Sequence, residues 1–334
     1  MSTRGSASNL VDFFVAGNSK SGTSALHRFL TTHPHICMSA LKEPNVFATD
    51  FCHEADVGAF TRKTLKQYHD LFRCSPDARL RGESSACYLY SEEAAKNIHA
   101  YNPDARIVAI FREPVDFLFS YHLEMLTNPV SEGEVEKDFH RALQLERERK
   151  QGKSVPDGCL VPALLHYSER VKYAEHLERF YSYFDRDQVI VFIYEDFKRD
   201  NARVYKELLQ FLGVDDRFLP PAFDTYNKSK KLRSKWAQHF VHDLSHGEGA
   251  LSPVRAAIKS ITPEPLRRSA LQFAYRHLVF KPKPAVDPNL EQQLKSKFLP
   301  HVRAFGRLIG RDMVNEWGYE AFASHQPSDS PATV

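Results

Sequence analysis

Three apolar runs, each unbroken by polar residues and each followed by a helix-spaced stretch, constrain this chain more than any other feature. Residues 12–16 (DFFVA) precede 24–30, where Ala25, Leu26, Phe29 and Leu30 fall at helical spacing. Residues 106–111 (RIVAIF) precede Pro114, which suits a first helical turn. Residues 188–194 (QVIVFIY) precede 200–212, where Val204, Leu208, Leu209, Phe211 and Leu212 form an apolar face. A strand with one wet face alternates polar and apolar residues, whereas an unbroken run suits a parallel strand covered on both sides. Repeated strand-then-helix order therefore predicts an α/β fold: an open parallel β-sheet flanked by helices on both faces. Ligands in such sheets sit beyond the carboxyl ends of the strands.

The spacing predicts further helices over 63–72, 91–101, 135–150, 164–184 and 289–309, with a proline-rich connector at 281–288. Residues 10–322 are expected to form one domain, with 1–9 and 323–334 as flexible termini. There are 45 Lys and Arg against 42 Asp and Glu, a net charge of +3, so no overall field marks a protein that coats nucleic acid. An anionic ligand must be gripped locally. The five cysteines are scattered, odd in number and without a C-x-x-C pair, which predicts reduced thiols, a cytoplasmic setting and no zinc or other metal site. The polar start and the short apolar runs predict a soluble chain with no integral membrane segment.

Two loops carry candidate chemistry. Gly17-Asn18-Ser19-Lys20-Ser21-Gly22-Thr23-Ser24 joins the first strand to the first helix, where backbone amides can curl around an anion. A nucleoside-triphosphate loop of Walker type needs lysine directly after the second glycine; Thr23 stands there and Lys20 comes two residues before Gly22. The plain alternative is a Gly/Ser turn with a solvated lysine. In the second loop Arg112 closes a buried strand and Ser120 lies in the following helix, so that both can face one phosphate. Its plain alternative is an arginine serving as an ion-pair partner.

The segments F-x-V-A-G-N-S-K-S-G-T-S-A-L and R-E-P-V-D-F-x-F-S-Y resemble the two cofactor-binding segments of sulfotransferases that use PAPS, 3′-phosphoadenylyl sulfate. The similarity continues through His33-Pro34, Lys42-Glu43-Pro44-Asn45-Val46-Phe47, Gly82-Glu83-Ser84-Ser85, Tyr194-Glu195-Asp196-Phe197 with Phe211-Leu212-Gly213, and Gly310-Arg311-Asp312 before Trp317. It most resembles the heparan-sulfate-type branch, in which a lysine-glutamate pair follows the first loop. The resemblance implies a P-loop-like sheet and sulfuryl transfer from PAPS to a hydroxyl or amine of a small-molecule, glycan or lipid acceptor, releasing PAP, with no metal required.

By that resemblance, the backbone of Ser21, Gly22, Thr23 and Ser24, with the Thr23 and Ser24 hydroxyls, binds the 5′-phosphate. Arg112 and Ser120 bind the 3′-phosphate, and Arg233, in a basic loop, is a further nucleotide contact. Lys20 neutralises the departing oxygen and Glu43 takes the acceptor proton, although Glu43 also reads as a surface carboxylate paired with Lys42. Ser84 and Tyr88 are candidates to contact the acceptor or to position the base, with Tyr88 reading equally well as a half-buried core aromatic. His33, His35, His53 and His122 are rival bases ranked below Glu43, because a histidine near a helix end is more often structural. Phe117 stands where relatives often carry arginine. A second enzyme class, a P-loop kinase or NTPase, finds support in the acids Glu195 and Asp196 after an apolar strand; an inactive nucleotide-binding scaffold is a third reading.

Overall fold

Successive residues of a strand point to opposite faces of its sheet, and here both faces are buried. Phe13, Val15, Val108, Ile110 and Phe192 pack on one side with Leu26, Phe29, Leu208 and Leu209, while Phe14, Ala16, Ile107, Ala109, Phe111 and Ile193 pack on the other with Ile98, Phe117, Leu177 and Phe305. The computed structural model describes residues 10–51, 63–126, 134–157, 159–220, 230–232, 280–282 and 285–323. Its central sheet has the order β2-β3-β1-β4-β5, all pairs parallel, built from β1 (Phe13–Gly17), β2 (Ile36–Met38), β3 (Leu80–Ser84), β4 (Arg106–Phe111) and β5 (Val189–Ile193). The expected α/β architecture is the observed one.

The helices are α1 (Thr23–Thr31), α2 (Leu65–His69), α3 (Ala94–Tyr101), α4 (Pro114–Met125), α5 (Phe139–Arg149), α6 (Tyr173–Tyr181), α7 (Tyr194–Arg199), α8 (Asn201–Leu212), α9 (Pro288–Ile309), α10 (Met313–Glu316) and α11 (Glu320–Ala323). From β1 the chain moves toward the β2 edge, and from β4 toward β5. The direction of winding therefore reverses between β1 and β4, whose carboxyl ends border the crevice where such sheets bind ligands. The loops carrying Lys20 and Arg112 leave these two strands.

Three expectations require correction. The predicted helix over 164–184 is two 3₁₀ turns, Pro162–Leu165 and Ser168–Val171, followed by the short α6. Ser168 explains the break, since its backbone N–H and hydroxyl both donate to the Glu146 carboxylate and fasten the chain sideways to α5. Strands β2 and β3 were not predicted: β2 has only three residues, and LRGES in β3 carries charges that read as exposed. Nor are all cysteines thiols, because Cys37 on β2 and Cys74 after α2 form a disulfide with Cα atoms 5.2 Å apart. The backbone bond from Ala40 N–H to the Leu71 carbonyl brings these segments together, which their sequence separation of 37 conceals. Cys87 remains a buried thiol and Cys159 a partly exposed one.

The chain divides into two compact units, 1–227 with 286–334, and 228–285. The second contributes the antiparallel pair β6 (Lys230–Leu232) and β7 (Phe280–Pro282). Arg233, His53 and the stretches 1–9 and 324–334, about which the sequence raised expectations, lie outside the described residues. Among the described residues no helix is long and apolar enough to cross a membrane.

Candidate active site

The turn after β1 departs sharply from regular backbone. The strand register shifts between Val15 and Gly17, the Asn18 N–H donates to the Ile110 carbonyl at 2.7 Å, and Lys20 and Gly22 take positive φ values of 57° and 95°. Gly17 has no room for a side chain: a Cβ there would lie 2.6 Å from the Ala86 carbonyl oxygen. Gly22 caps α1 in a left-handed conformation and contributes no side-chain cap, so the first-turn amides of α1 remain outward-facing donors at the positive end of the helix dipole. Lys20, Gly22, Thr23 and Ser24 line a cleft together with Ser19, Lys42, Glu43, Glu124 and Tyr194. Ser21 does not line it. Its side chain is buried and its hydroxyl donates to the Ser19 carbonyl at 3.2 Å.

Arg112 reaches this turn directly. Its Nη1 donates to the Lys20 carbonyl at 2.7 Å, its Nε donates to Asp116 Oδ2 at 2.7 Å, and its guanidinium lies 4.6 Å from the centre of the Tyr194 ring. The Tyr173 hydroxyl holds the Arg112 carbonyl at 2.9 Å. Glu113 caps α4, accepting from the Val115 and Asp116 amides, and Pro114 occupies the first helical position. Asp116, Ser120 and Glu124 are each four residues apart, so one face of α4 carries all three. Its far end meets the turn where Lys20 Nζ lies 3.3 Å from Glu124 Oε1. Ser120 is buried on that face. Phe117 stacks on Tyr121 and packs edge-on to Tyr173, within the core.

Glu43 forms the opposite wall. Its backbone also has positive φ, 60°, its N–H donates to the Ser84 carbonyl at 2.9 Å, and its Oε2 accepts from the Ala86 N–H at 2.8 Å. Its other oxygen pairs with Lys42. The surface-pair alternative therefore describes a real contact, but one formed on the cleft wall with the carboxylate tied to the β3 end. Below it, His27 Nδ1 lies 3.0 Å from the Ser84 hydroxyl. Burial and the Lys42 ammonium press the His27 pKa down to about 4.

The candidate acceptor contacts are buried. Tyr88 belongs to the core, which corrects the reading of it as a direct substrate contact: its hydroxyl donates to Glu83 Oε2 at 3.1 Å and accepts from the Phe47 amide. Ser84 is enclosed against His27. Glu83, with no exposed surface, also accepts from the Tyr68 hydroxyl at 2.7 Å, and burial raises its pKa to about 7 against the pull of its hydrogen bonds from Ser85, Tyr68 and Tyr88.

Two of the rival bases are tied into structural contacts. His33 Nε2 lies 3.1 Å from the Asp215 carbonyl and its Nδ1 accepts from the His35 N–H, while His122 is buried against Tyr167 and the Lys137 carbonyl. The acids that favoured a kinase reading are likewise engaged. Glu195 accepts from the Trp317 indole at 3.1 Å and faces the Glu113 amide; Asp196 pairs with Arg199 and Arg311. A carboxylate held by arginines on both oxygens is poorly placed to bind a hydrated Mg²⁺. Among the described residues no group of three or more His, Cys, Asp or Glu side chains is arranged to hold a metal ion.

Sequence reasoning missed Glu124, His27 and Tyr194. The four-residue spacing from Ser120 to Glu124 was a usable signal for the first. His27 offered none, because its neighbour Ser84 is 57 residues away.

The model for the sulfotransferase domain matches residues 10–242, more than half of the chain. A bifunctional heparan sulfate N-deacetylase/N-sulfotransferase 4 from Mus musculus is 30% identical over 216 residues, covering 63% of this chain and 23% of its own length. Carbohydrate sulfotransferase 15 from Homo sapiens is 24% identical over 247 residues, covering 61% and 44%. The chain thus spans about a quarter of the first relative and under half of the second. The crystal structure of a sulfotransferase from Alicyclobacillus acidocaldarius superposes with a TM-score of 0.65 at 26% identity, covering 92% of this chain and 98% of that one. A glycine-capped helix start joined through Lys20 to a strand-terminal arginine, in a five-stranded parallel sheet matched along nearly its whole length by a sulfotransferase structure, leaves the kinase alternative disfavoured: the chain belongs to the sulfotransferase family.

Proposed function

We propose that this chain transfers the sulfuryl group of PAPS to a hydroxyl or amine, with a glycan as the leading acceptor class and a lipid or small molecule as the others. The glycan preference comes from the relatives named for heparan sulfate and carbohydrate. When bound, PAPS supplies an activated sulfuryl group on a phosphate leaving group. The residues present fit such a ligand. The uncapped amides of α1 with Thr23 and Ser24 form an anion cradle, and Arg112 with the buried Ser120 offers a second anion contact from the neighbouring strand.

In this reading Lys20 holds positive charge where the leaving oxygen becomes anionic, a preorganised donor of the kind worth roughly 2.7–4 kcal/mol in the transition state. Glu43, fixed by the Ala86 amide, takes the proton from the acceptor nucleophile, a role typically worth about 10²- to 10⁴-fold. The Lys42 ammonium on the cleft wall and the buried Ser84 carbonyl, which accepts from the Glu43 N–H, orient it. The 2.7 Å bond from Arg112 to the Lys20 carbonyl carries the assignment, because it joins the two anion-binding segments at the reversal point of the sheet.

Incubation with ³⁵S-labelled PAPS and a panel of amino-sugar, hydroxyl-sugar, lipid and phenol acceptors tests it. Transfer of label to at least one acceptor, with PAP released, is expected. Mg²⁺-dependent ATP turnover without any label transfer would reject it.

A further inference from the structure

Among the described residues the cleft holds two ammonium–carboxylate pairs, Lys42 with Glu43 and Lys20 with Glu124, whose charges balance although the proposed nucleotide is a polyanion. The second pair has no role in the scheme above. Its atoms are 3.3 Å apart, and its side chains are 16% and 44% exposed. Such a pair is weakly held, since partly solvated ions gain little from each other. The contrast with Arg149 and Glu134, a wholly buried bidentate pair, is one of purpose: that pair cannot open without stranding charge in the interior, whereas Lys20 and Glu124 can exchange partners.

We propose that Glu124 is a positioning residue that parks the Lys20 ammonium in the nucleotide-free protein and surrenders it when the 5′ end of the nucleotide enters. The inference rests on the reading of Lys20 as the contact for that end. Two effects then oppose binding: the carboxylate competes for the ammonium, and after the exchange it faces the incoming phosphate with like charge. Glu124 thus weakens nucleotide affinity through Lys20 and keeps the lysine side chain over the cradle in the meantime. A nucleotide that never reaches Lys20 does not feel the exchange.

Calorimetric binding of PAP and of adenosine 3′-monophosphate to the full chain and to Glu124→Gln tests this, with the same titrations on Glu124→Ala. Both variants should bind PAP about twofold to fivefold more tightly, the range expected of a partly exposed ion pair, and should gain less for adenosine 3′-monophosphate. A purely structural role for Glu124 predicts lost affinity, not gained. Each variant is titrated below its own melting transition, so that lowered stability does not mask the result. Unchanged or weaker PAP binding, or an equal gain for both nucleotides, would overturn the proposal. Failure of the wild-type protein to bind PAP at all would instead remove the site reading, and this proposal with it.

Discussion

Arg112 donates from Nη1 to the backbone carbonyl of Lys20 across 92 residues of sequence, at 2.7 Å. One side chain therefore braces the turn that presents Lys20 and, in the proposed function, keeps its remaining donors for a ligand. Asp116 and the Tyr194 ring hold the guanidinium in place, and the side chain is only 9% exposed, so its geometry is set before any nucleotide arrives.

Arg112→Ala is expected to weaken PAP binding by about tenfold to a hundredfold, the loss that follows from removing a charge-assisted hydrogen bond. Arg112→Lys should recover only part of it, because an ammonium cannot reproduce the planar fork that spans Asp116 and the Lys20 carbonyl. Isothermal titration with PAP gives both values.

Lys20 and Glu43 should separate in kinetics. Lys20→Met is expected to lower kcat by about 10²- to 10³-fold, as for loss of an oxyanion donor. Glu43→Gln is expected to lower kcat by about 10²-fold or more while leaving the PAP dissociation constant nearly unchanged. Equal losses of PAP affinity in the Glu43 and Arg112 variants would contradict the division of labour.

Buried Glu83 and half-buried His27 impose opposite pH slopes on stability. Glu83 titrates near 7 in the folded chain against an ordinary 4.5, so the folded state keeps a proton that the unfolded state has released. Its favourable contribution is complete below about 4.5 and is lost as pH rises toward 7, on the order of 3 kcal/mol in all. His27 titrates near 4 rather than 6.5, so it opposes folding as pH falls from 6.5 toward 4. Denaturant melts across pH 4.5–8 should show a shallower decline with rising pH for Glu83→Gln than for the wild type. His27→Asn should gain relative stability at the acid end.

The disulfide closes a loop of 37 residues, for which chain entropy predicts about 4 kcal/mol of stabilisation, with about 2–4 kcal/mol the usual observed range. Cys37→Ser with Cys74→Ser, or treatment with a reductant, should lower the unfolding free energy by that amount. Neither cysteine lines the cleft, so PAP affinity measured well below the melting transition should stay the same.

The parts of the fold legible in the sequence were those where a local pattern and the tertiary environment agree. RIVAIF is buried on both faces, and its observed strand limits coincide with the predicted ones. LRGES escaped notice because its burial depends on partners elsewhere: Glu83 enters the interior only with the Tyr68 and Tyr88 hydroxyls to receive it. The site followed the same rule. Lys20, Glu43 and Arg112 each stand in a contiguous motif, and Lys20 and Glu43 line one cleft while Arg112 braces the Lys20 turn from behind it, whereas His27 on α1 meets a residue of β3, and Tyr88 is withdrawn into the core by its bond to Glu83.

The turn between α10 and α11 clasps the starts of α4 and α7. The Tyr319 hydroxyl donates to Glu113 at 2.6 Å, and the Trp317 indole donates to Glu195, fastening the first residues of α4 and α7 to a segment far downstream of the sulfotransferase match. Shortening this protein to the span of the domain match would therefore strip the buckle from the belt. Residues 10–242 alone would leave the Glu113 and Glu195 carboxylates without their aromatic donors at the starts of α4 and α7, so a fragment that keeps both contacts has to extend through Tyr319.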